Sequence, residues 1–225
     1  MRPFFPFYGS KWNISRHYPR PSHGLVIEPF CGSAGYSLFY DCPIVDLYDD
    51  DPIIAGLWNY LLKTTSERIL ELPELMTVGD SVDNYDICQE EKWLIGFWLN
   101  RGSAMPKKTR TAFSSLSLSW GSRAKQRIAS QLNGISGWSI QGGSYELSRN
   151  VEATWFIDPP YVDKGKFYRK KFDRHIELGK WAMERKGQVI ACEGPGATWL
   201  PFEPLGTFKT TKGTSKEFIF TTSNQ

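Results

Sequence analysis

A chain of 225 residues is long enough to bury one sizeable core with a small appended unit. Its net charge of +3 is too small to establish an anionic partner by itself, and no run of about 18 apolar residues is present to span a bilayer. Four scattered cysteines (Cys31, Cys42, Cys88, Cys192) form no C-x-x-C pair and have no neighbouring histidines, so no zinc site is expected and reduced thiols in a cytoplasmic protein are. Nine tryptophans and ten tyrosines exceed what a core of this size needs, which leaves flat rings for stacking.

The start of the chain, Met1 to Trp12, is too proline-broken for a signal peptide and too aromatic for a free tail. It is expected to fold back over a pocket, with Lys11 following a Gly-Ser turn. Leu25 to Ile27 reads as a strand ending in Glu28-Pro29-Phe30, and Cys31-Gly32-Ser33-Ala34-Gly35 then opens a helix through Tyr40. Strand, small-residue turn and helix form a place where backbone approaches a ligand closely. A second strand, Ile44 to Tyr48, ends in Asp49-Asp50-Asp51, with Pro52 opening a helix to about Leu62. Asp49 lies 21 residues after Glu28, a spacing that suits an acid binding ribose hydroxyls beside a ligand held at the first turn. The turn lacks the G-x-x-G phosphate spacing, and Glu28 beside it would repel a pyrophosphate. A ligand with cationic character, such as S-adenosylmethionine, fits better than a dinucleotide.

Helices are expected over Ser66 to Leu72, Glu90 to Asn100 and Arg123 to Leu132, the last stopped by Asn133-Gly134. Strands are expected over Trp138 to Gln141, Ala153 to Ile157 and Gln188 to Cys192, with a helix from about Asp173 to Arg185. A terminal hairpin is expected from Thr207 to Thr211 and Glu217 to Thr222. Charge is partitioned: six acids and no base lie between Pro73 and Glu91, whereas Lys92 to Tyr145 holds no acid. Arg101, Lys107, Lys108 and Arg110 belong to that acid-free stretch, which reads as a surface meeting phosphates, a solvated basic face being the plainer alternative. The strand Ala153 to Ile157 delivers Asp158-Pro159-Pro160-Tyr161 to a carboxyl edge, because a Pro-Pro pair cannot continue a ladder. Lys166, Arg169 and Lys170 follow, interleaved with aromatics in a way that suits a nucleic-acid backbone.

Together these segments make the chain resemble the Dam-type (D12 class) DNA adenine methyltransferases, and within them the compact phage-type adenine methylases. Phe7-Tyr8-Gly9-Ser10-Lys11 resembles the family's amino-terminal motif, Glu28-Pro29-Phe30-Cys31-Gly32 its cofactor turn, and Asp49 its ribose acid. Asp158-Pro159-Pro160-Tyr161 resembles its catalytic tetrapeptide. Leu99-Asn100-Arg101 is similar to the entry of its recognition region, and Ser215-Lys216-Glu217-Phe218 to its late hairpin motif. Two positions depart: Ala34 stands where the family often has a second glycine, and Phe7 where many relatives carry Tyr or Trp.

The resemblance implies an α/β, Rossmann-like S-adenosylmethionine-dependent fold, with a mostly parallel sheet and a terminal antiparallel hairpin. The catalytic domain is then 1–72 and 138–225, and 73–137 is a helical and loop insertion that recognises double-stranded DNA. It implies adenine-specific methylation of DNA, of the restriction-modification or phage kind, in bacterial or phage-infected host cytoplasm. The catalytic residues are then Asp158, Pro159, Pro160 and Tyr161. The cofactor, leaving as S-adenosylhomocysteine, meets Phe7, Lys11, Glu28, Phe30, Gly32, Asp49 and Asp158, and no metal, membrane or obligate protein partner is implied. The carboxylate of Asp158 and the carbonyl of Pro159 would accept hydrogen bonds from the target amine while Tyr161 stacks on the base. RNA adenine remains an alternative acceptor, and a non-catalytic nucleic-acid-binding module or a nicotinamide enzyme an alternative class. Asp at position 158 argues against glutamine methylases, which carry Asn there, and against many cytosine-amine enzymes, which carry Ser.

Overall fold

The computed structural model describes residues 1–112, 119–163, 168–210 and 213–222. Lys166, with Lys164 and Phe167, lies outside the described residues, as do Thr211 and Lys212 at the expected hairpin turn. Seven strands form one sheet: β1 (Leu25–Glu28), β2 (Ile44–Asp49), β3 (Trp138–Gly142), β4 (Ala153–Ile157), β5 (Gly187–Glu193), β6 (Glu203–Thr210) and β7 (Gly213–Thr221). Their order is β3-β2-β1-β4-β5-β7-β6, with β7 antiparallel to both neighbours and the other pairs parallel. The helices are α1 (Gly35–Phe39), α2 (Pro52–Leu61), α3 (Ser66–Glu71), α4 (Gln89–Leu99), α5 (Ser122–Ala129) and α6 (His175–Met183). This is a Rossmann-like α/β architecture closed by an antiparallel hairpin. The chain runs outward from β1 through β2 to β3, then returns to β4, so the crevice beyond the ends of β1 and β4 is a topological switch point, where such sheets bind ligands.

Local chemistry explains the elements around that crevice. All five residues of β4 are buried, as expected of a parallel strand covered on both faces. Asp51 caps α2 by accepting from the Ile53 amide at 3.0 Å, with Pro52 at the first helical position. The buried Glu91 accepts two bonds from Arg68 (2.7 and 2.8 Å), one from the Tyr60 hydroxyl (2.9 Å) and one from the Cys88 amide (3.0 Å), tying α2, α3 and α4 together. Phe4 and Phe5 are fully buried, with Trp58 at 5.9 and 5.8 Å and Phe97 at 5.2 Å from Phe5, so the amino-terminal segment is part of the core. Leu75, Val82, Trp98, Trp120 and Ile128 join the same apolar cluster. The described part of segment 73–137 therefore shares the core of the sheet.

Four expectations need correction. The tryptophans are not spare stacking rings: Trp58, Trp98, Trp120, Trp138 and Trp155 are buried and the other four half-buried, because a sheet with two covered faces needs ring volume on both. The helix expected to run to Leu132 ends at Ala129, and Asn133-Gly134 lies inside a 3-10 turn, Leu132–Ile135, with Met1 Sδ packed where a Gly134 Cβ would stand. Helix α6 begins at His175 rather than near Asp173. Strand β6 starts at Glu203, four residues before the alternation suggested. Pro204 and Gly206 hide it in the sequence, but an edge strand tolerates both, and the register shifts between them.

Candidate active site

The carboxyl ends of β1, β2, β3 and β4 converge on a cavity of about 290 Å³. Its wall includes Phe7, Lys11, Glu28, Phe30, Gly32, Asp49 and Asp158, all seven residues expected to meet a cofactor. The floor is the turn after β1. Gly32 takes φ +45°, and a Cβ there would lie 3.0 Å from the Phe7 ring; its carbonyl accepts from Trp58 Nε1 at 2.8 Å. Ala34 also adopts the left-handed conformation (φ 49°, ψ 45°), so the turn keeps a glycine-type backbone at a cost of about 1–2 kcal/mol for the alanine. Gly35 is needed for a different reason: a Cβ would stand 2.7 Å from the Trp12 nitrogen and 3.0 Å from the Lys11 nitrogen. The amino-terminal motif thus lies directly on the turn, and the Ser33 hydroxyl donates to that of Ser10 at 2.9 Å.

At one end of the cavity Asp49 closes β2. Its Oδ2 accepts from the Gly32 amide and its Oδ1 from the Asp51 amide, both at 3.0 Å, which joins the second strand to the first turn. Burial pushes its carboxyl up to about 7, with Asp51 and Asp50 adding to the rise and the two amides opposing it. Glu28, 2% exposed, accepts from the Ser37 amide at 2.9 Å and is likewise pushed up to about 7 by burial. Two acids with such values beside aromatic walls suit hydroxyls and a cationic group.

At the other end Asp158 closes β4. Lys11 Nζ lies 2.7 Å from both of its oxygens, pairing with Oδ1 and donating to Oδ2. Burial raises the Asp158 carboxyl, and the Lys11 ammonium works against that rise. For Lys11, burial works downward, but Asp158 first and Glu217 next outweigh it, so the ammonium is held well above its ordinary value. The same ammonium sits 4.8 Å from the centre of the Tyr161 ring. Tyr161 is buried, 6% exposed, and donates to Glu217 Oε2 at 2.5 Å, while Ser215 donates to Oε1 at 2.9 Å. Pro160 lines the cavity and Pro159 and Tyr161 do not, so the expectation that Tyr161 stacks on a base is corrected: its buried ring faces Lys11 and its hydroxyl is taken by Glu217.

A strap of residues 168–174 lines another part of the cavity wall. Arg169 pairs with Asp51 (3.5 Å), Lys170 with Asp50 (3.3 Å) and Arg174 with Glu146 (2.9 Å), while Phe172 packs on Phe30 and Tyr145 (5.2 and 6.0 Å). Arg169 and Lys170 are therefore at the site, engaged with acids beyond β2. The other expected phosphate contacts lie elsewhere. Arg101 is exposed beside Trp98, Lys107 is exposed, Lys108 pairs with Asp83 at 2.9 Å and Arg110 donates to the Leu75 carbonyl. Lys92 also faces Asp83 and Lys125 faces Glu74, so the acid-free stretch is partly neutralised by the acid-rich one before it.

Reading motifs missed several contributors: Glu217 as the partner of Tyr161, Tyr168 beside Phe7 and Tyr8, and His175, whose Nε2 lies 2.9 Å from the Pro160 carbonyl. Glu217 stands inside a motif that was seen, but nothing in its spacing names its partner. Among the described residues no group of three or more His, Cys, Asp or Glu is placed to hold a metal, and no helix is long and apolar enough to cross a membrane.

No protein-family model matches the chain, and no curated protein sequence does. Among solved structures, a conserved hypothetical protein of Streptococcus pyogenes overlaps with a TM-score of 0.35 at 9% identity, covering 87% of this chain and 84% of that one. The suspected methyltransferase YhhF of Escherichia coli overlaps with a TM-score of 0.37, also at 9% identity, covering 87% and 74%. Overlaps of that size bear on neither substrate nor activity.

Proposed function

We propose that this protein is a DNA methyltransferase that moves a methyl group from S-adenosylmethionine to the exocyclic amine of an adenine turned out of the duplex. The observation that carries this reading is Asp158, the carboxylate at the end of β4, paired with Lys11 on the wall of a cavity whose far end holds Asp49. The residues fit the cofactor. Asp49 keeps lone pairs for ribose hydroxyls after accepting two amides, Phe7 and Phe30 offer ring faces, and Glu28 with Asp49 suits a ligand bearing ammonium and sulfonium.

The bound cofactor supplies an electrophilic methyl carbon. The adenine amine is a poor nucleophile, because its lone pair is delocalised into the ring. Asp158, on the cavity wall, would accept one of its hydrogens and the carbonyl of Pro159, a residue that does not itself line the cavity, the other, which would favour a pyramidal nitrogen with its lone pair aimed at the methyl group. With the cofactor held there, Asp158 would receive one amine proton along its hydrogen bond as the nitrogen is methylated. Lys11 opposes protonation of Asp158 before transfer, and the rigid Pro-Pro backbone holds the acceptors in register.

The test is transfer of a tritiated methyl group from S-adenosylmethionine to unmethylated duplex DNA and, in parallel, to RNA, with Asp158→Ala as control. Label in DNA as N6-methyladenine, lost in a folded Asp158→Ala that still binds cofactor, is expected. Label in RNA alone overturns the choice of DNA; cofactor binding without transfer to either supports a non-catalytic module.

A further inference from the structure

A second carboxylate site adjoins the tetrapeptide, centred on two residues, Glu193 and His175, that do not line the cavity. Glu193, the last residue of β5, is 1% exposed. Its Oε1 accepts from the Gly194 amide at 2.7 Å and its Oε2 from Trp199 Nε1 at 2.9 Å, and the Val162 amide bonds to the same carboxylate. His175, the first residue of α6, places Nε2 2.9 Å from the Pro160 carbonyl and 4.0 Å from Glu193 Oε2. A carbonyl oxygen only accepts, so that nitrogen must carry the proton. The His175 ring is held by Phe172 (4.9 Å) and Trp199 (6.0 Å). Helix α6 meets the Trp199 backbone at Gly179, where a Cβ would stand 2.3 Å from the Trp199 oxygen. Gly194 also approaches the tetrapeptide, its Cβ position lying 3.3 Å from Tyr161 Cδ2.

We propose that His175 and Glu193 are positioning residues for the tetrapeptide, fixing the Pro160 carbonyl on one side of Tyr161 and the Val162 amide on the other. The proposal rests on the methyl-transfer reading for its catalytic consequence, but not for its geometry. With the backbone pinned on both sides and the Tyr161 hydroxyl bonded to Glu217, neither Asp158 nor the Pro159 carbonyl can turn away when the Lys11 contact loosens. A shift of about 1 Å in such acceptors costs roughly a hundredfold in rate. His175 touches neither cavity nor reacting atoms, so its loss acts on turnover rather than on cofactor binding.

The experiment compares two amides of different reach. In His175→Gln the side-chain nitrogen takes the place of Nε2, whereas in His175→Asn it takes the place of Nδ1 and falls short of Pro160. Expected are kcat within about fivefold of wild type for Gln and a loss of 10- to 100-fold for Asn, with KM for S-adenosylmethionine unchanged in both. Amide exchange over residues 158–163 is measured alongside and is expected to be at least tenfold faster in His175→Asn than in His175→Gln, with β4 equally protected. Equal kcat and equal exchange in the two variants overturn the positioning role. An inactive wild type sinks the methyl-transfer reading instead, and the exchange comparison then decides the role of His175 alone.

Discussion

The contact between Gly35 and the amino-terminal motif gives a prediction whose sign opposes helix propensity. Gly35 opens α1, and replacing a helical glycine by alanine ordinarily gains about 0.8–1.0 kcal/mol. Here the new Cβ would lie 2.7 Å from the Trp12 nitrogen, 3.0 Å from the Lys11 nitrogen and 3.1 Å from Ser10 Oγ. Two of those three atoms are backbone, so the segment itself must move, and overpacking of that kind costs about 1–3 kcal/mol. The balance for Gly35→Ala is a net loss near 1 kcal/mol, or a melting temperature lower by about 2–4 °C in a chain of this size. The displaced segment carries Lys11, whose ammonium must stay 2.7 Å from Asp158, so cofactor affinity should fall as well. The neighbouring Ala34→Gly should behave oppositely. Relief of the left-handed alanine, about 1–2 kcal/mol, exceeds the roughly 0.4–1 kcal/mol lost to greater freedom of the unfolded chain. Calorimetric melting of both variants, with titration of S-adenosylmethionine, checks the pair. A Gly35→Ala protein that melts above wild type and binds the cofactor normally would falsify the close-approach reasoning.

Two further outcomes follow from charge. Glu28 and Asp49 are raised to about 7 in the folded chain from ordinary carboxylate values, so the folded state holds protons that the unfolded state has released between about pH 4 and 7. Their contribution to stability is therefore full below the unfolded values and is lost as pH rises through 7. The ligand-free protein should melt progressively lower from pH 5 to 8, and Glu28→Gln should flatten that slope; a slope identical to wild type refutes the assignment to Glu28. The strap over residues 168–174 is held partly by exposed ion pairs to Asp50, Asp51 and Glu146, each worth about 0.2–1 kcal/mol and screened by salt. Tryptic cleavage within 168–174 should accelerate severalfold between low and high salt, and an unchanged rate would assign the strap to ring packing at Phe172 and Tyr168 instead.

The strand ends that build the cavity were legible because each is marked by local chemistry. An apolar run stops at Glu28-Pro29, another at Asp49 before Pro52, and a third at Asp158 before two prolines, so a carboxylate at a sheet edge could be read three times from adjacent residues alone. The contacts that brace the turns beside those carboxylates were not legible, because the partners are remote: Glu217 meets Tyr161 across 56 positions and Trp58 meets Gly32 across 26. No periodicity or spacing encodes such a meeting; only the sheet order, which brings β7 beside β5 and β5 beside β4, produces it.

Charge shows the same limit in a sharper form. Along the sequence, the six acids from Pro73 to Glu91 and the bases that follow look like two separate regions, the second free to meet phosphates. In the fold, Asp83 faces both Lys92 and Lys108, Glu74 faces Lys125, and Ser81 pairs with Thr109 in an antiparallel bridge that sets the two stretches side by side. A phosphate approaching Lys108 must therefore compete with a carboxylate 2.9 Å away, whereas one approaching the exposed Lys107 or Arg101 has no described carboxylate pair to break. Because Ala104 borders the cavity and the Ser103 carbonyl accepts from the Tyr8 amide, Arg101 also stands only a few residues from the site. Of the four bases in 101–110 first read as one basic surface, Arg101 and Lys107 are thus the two exposed ones without a described carboxylate pair, each three residues from Ala104 at the cavity wall.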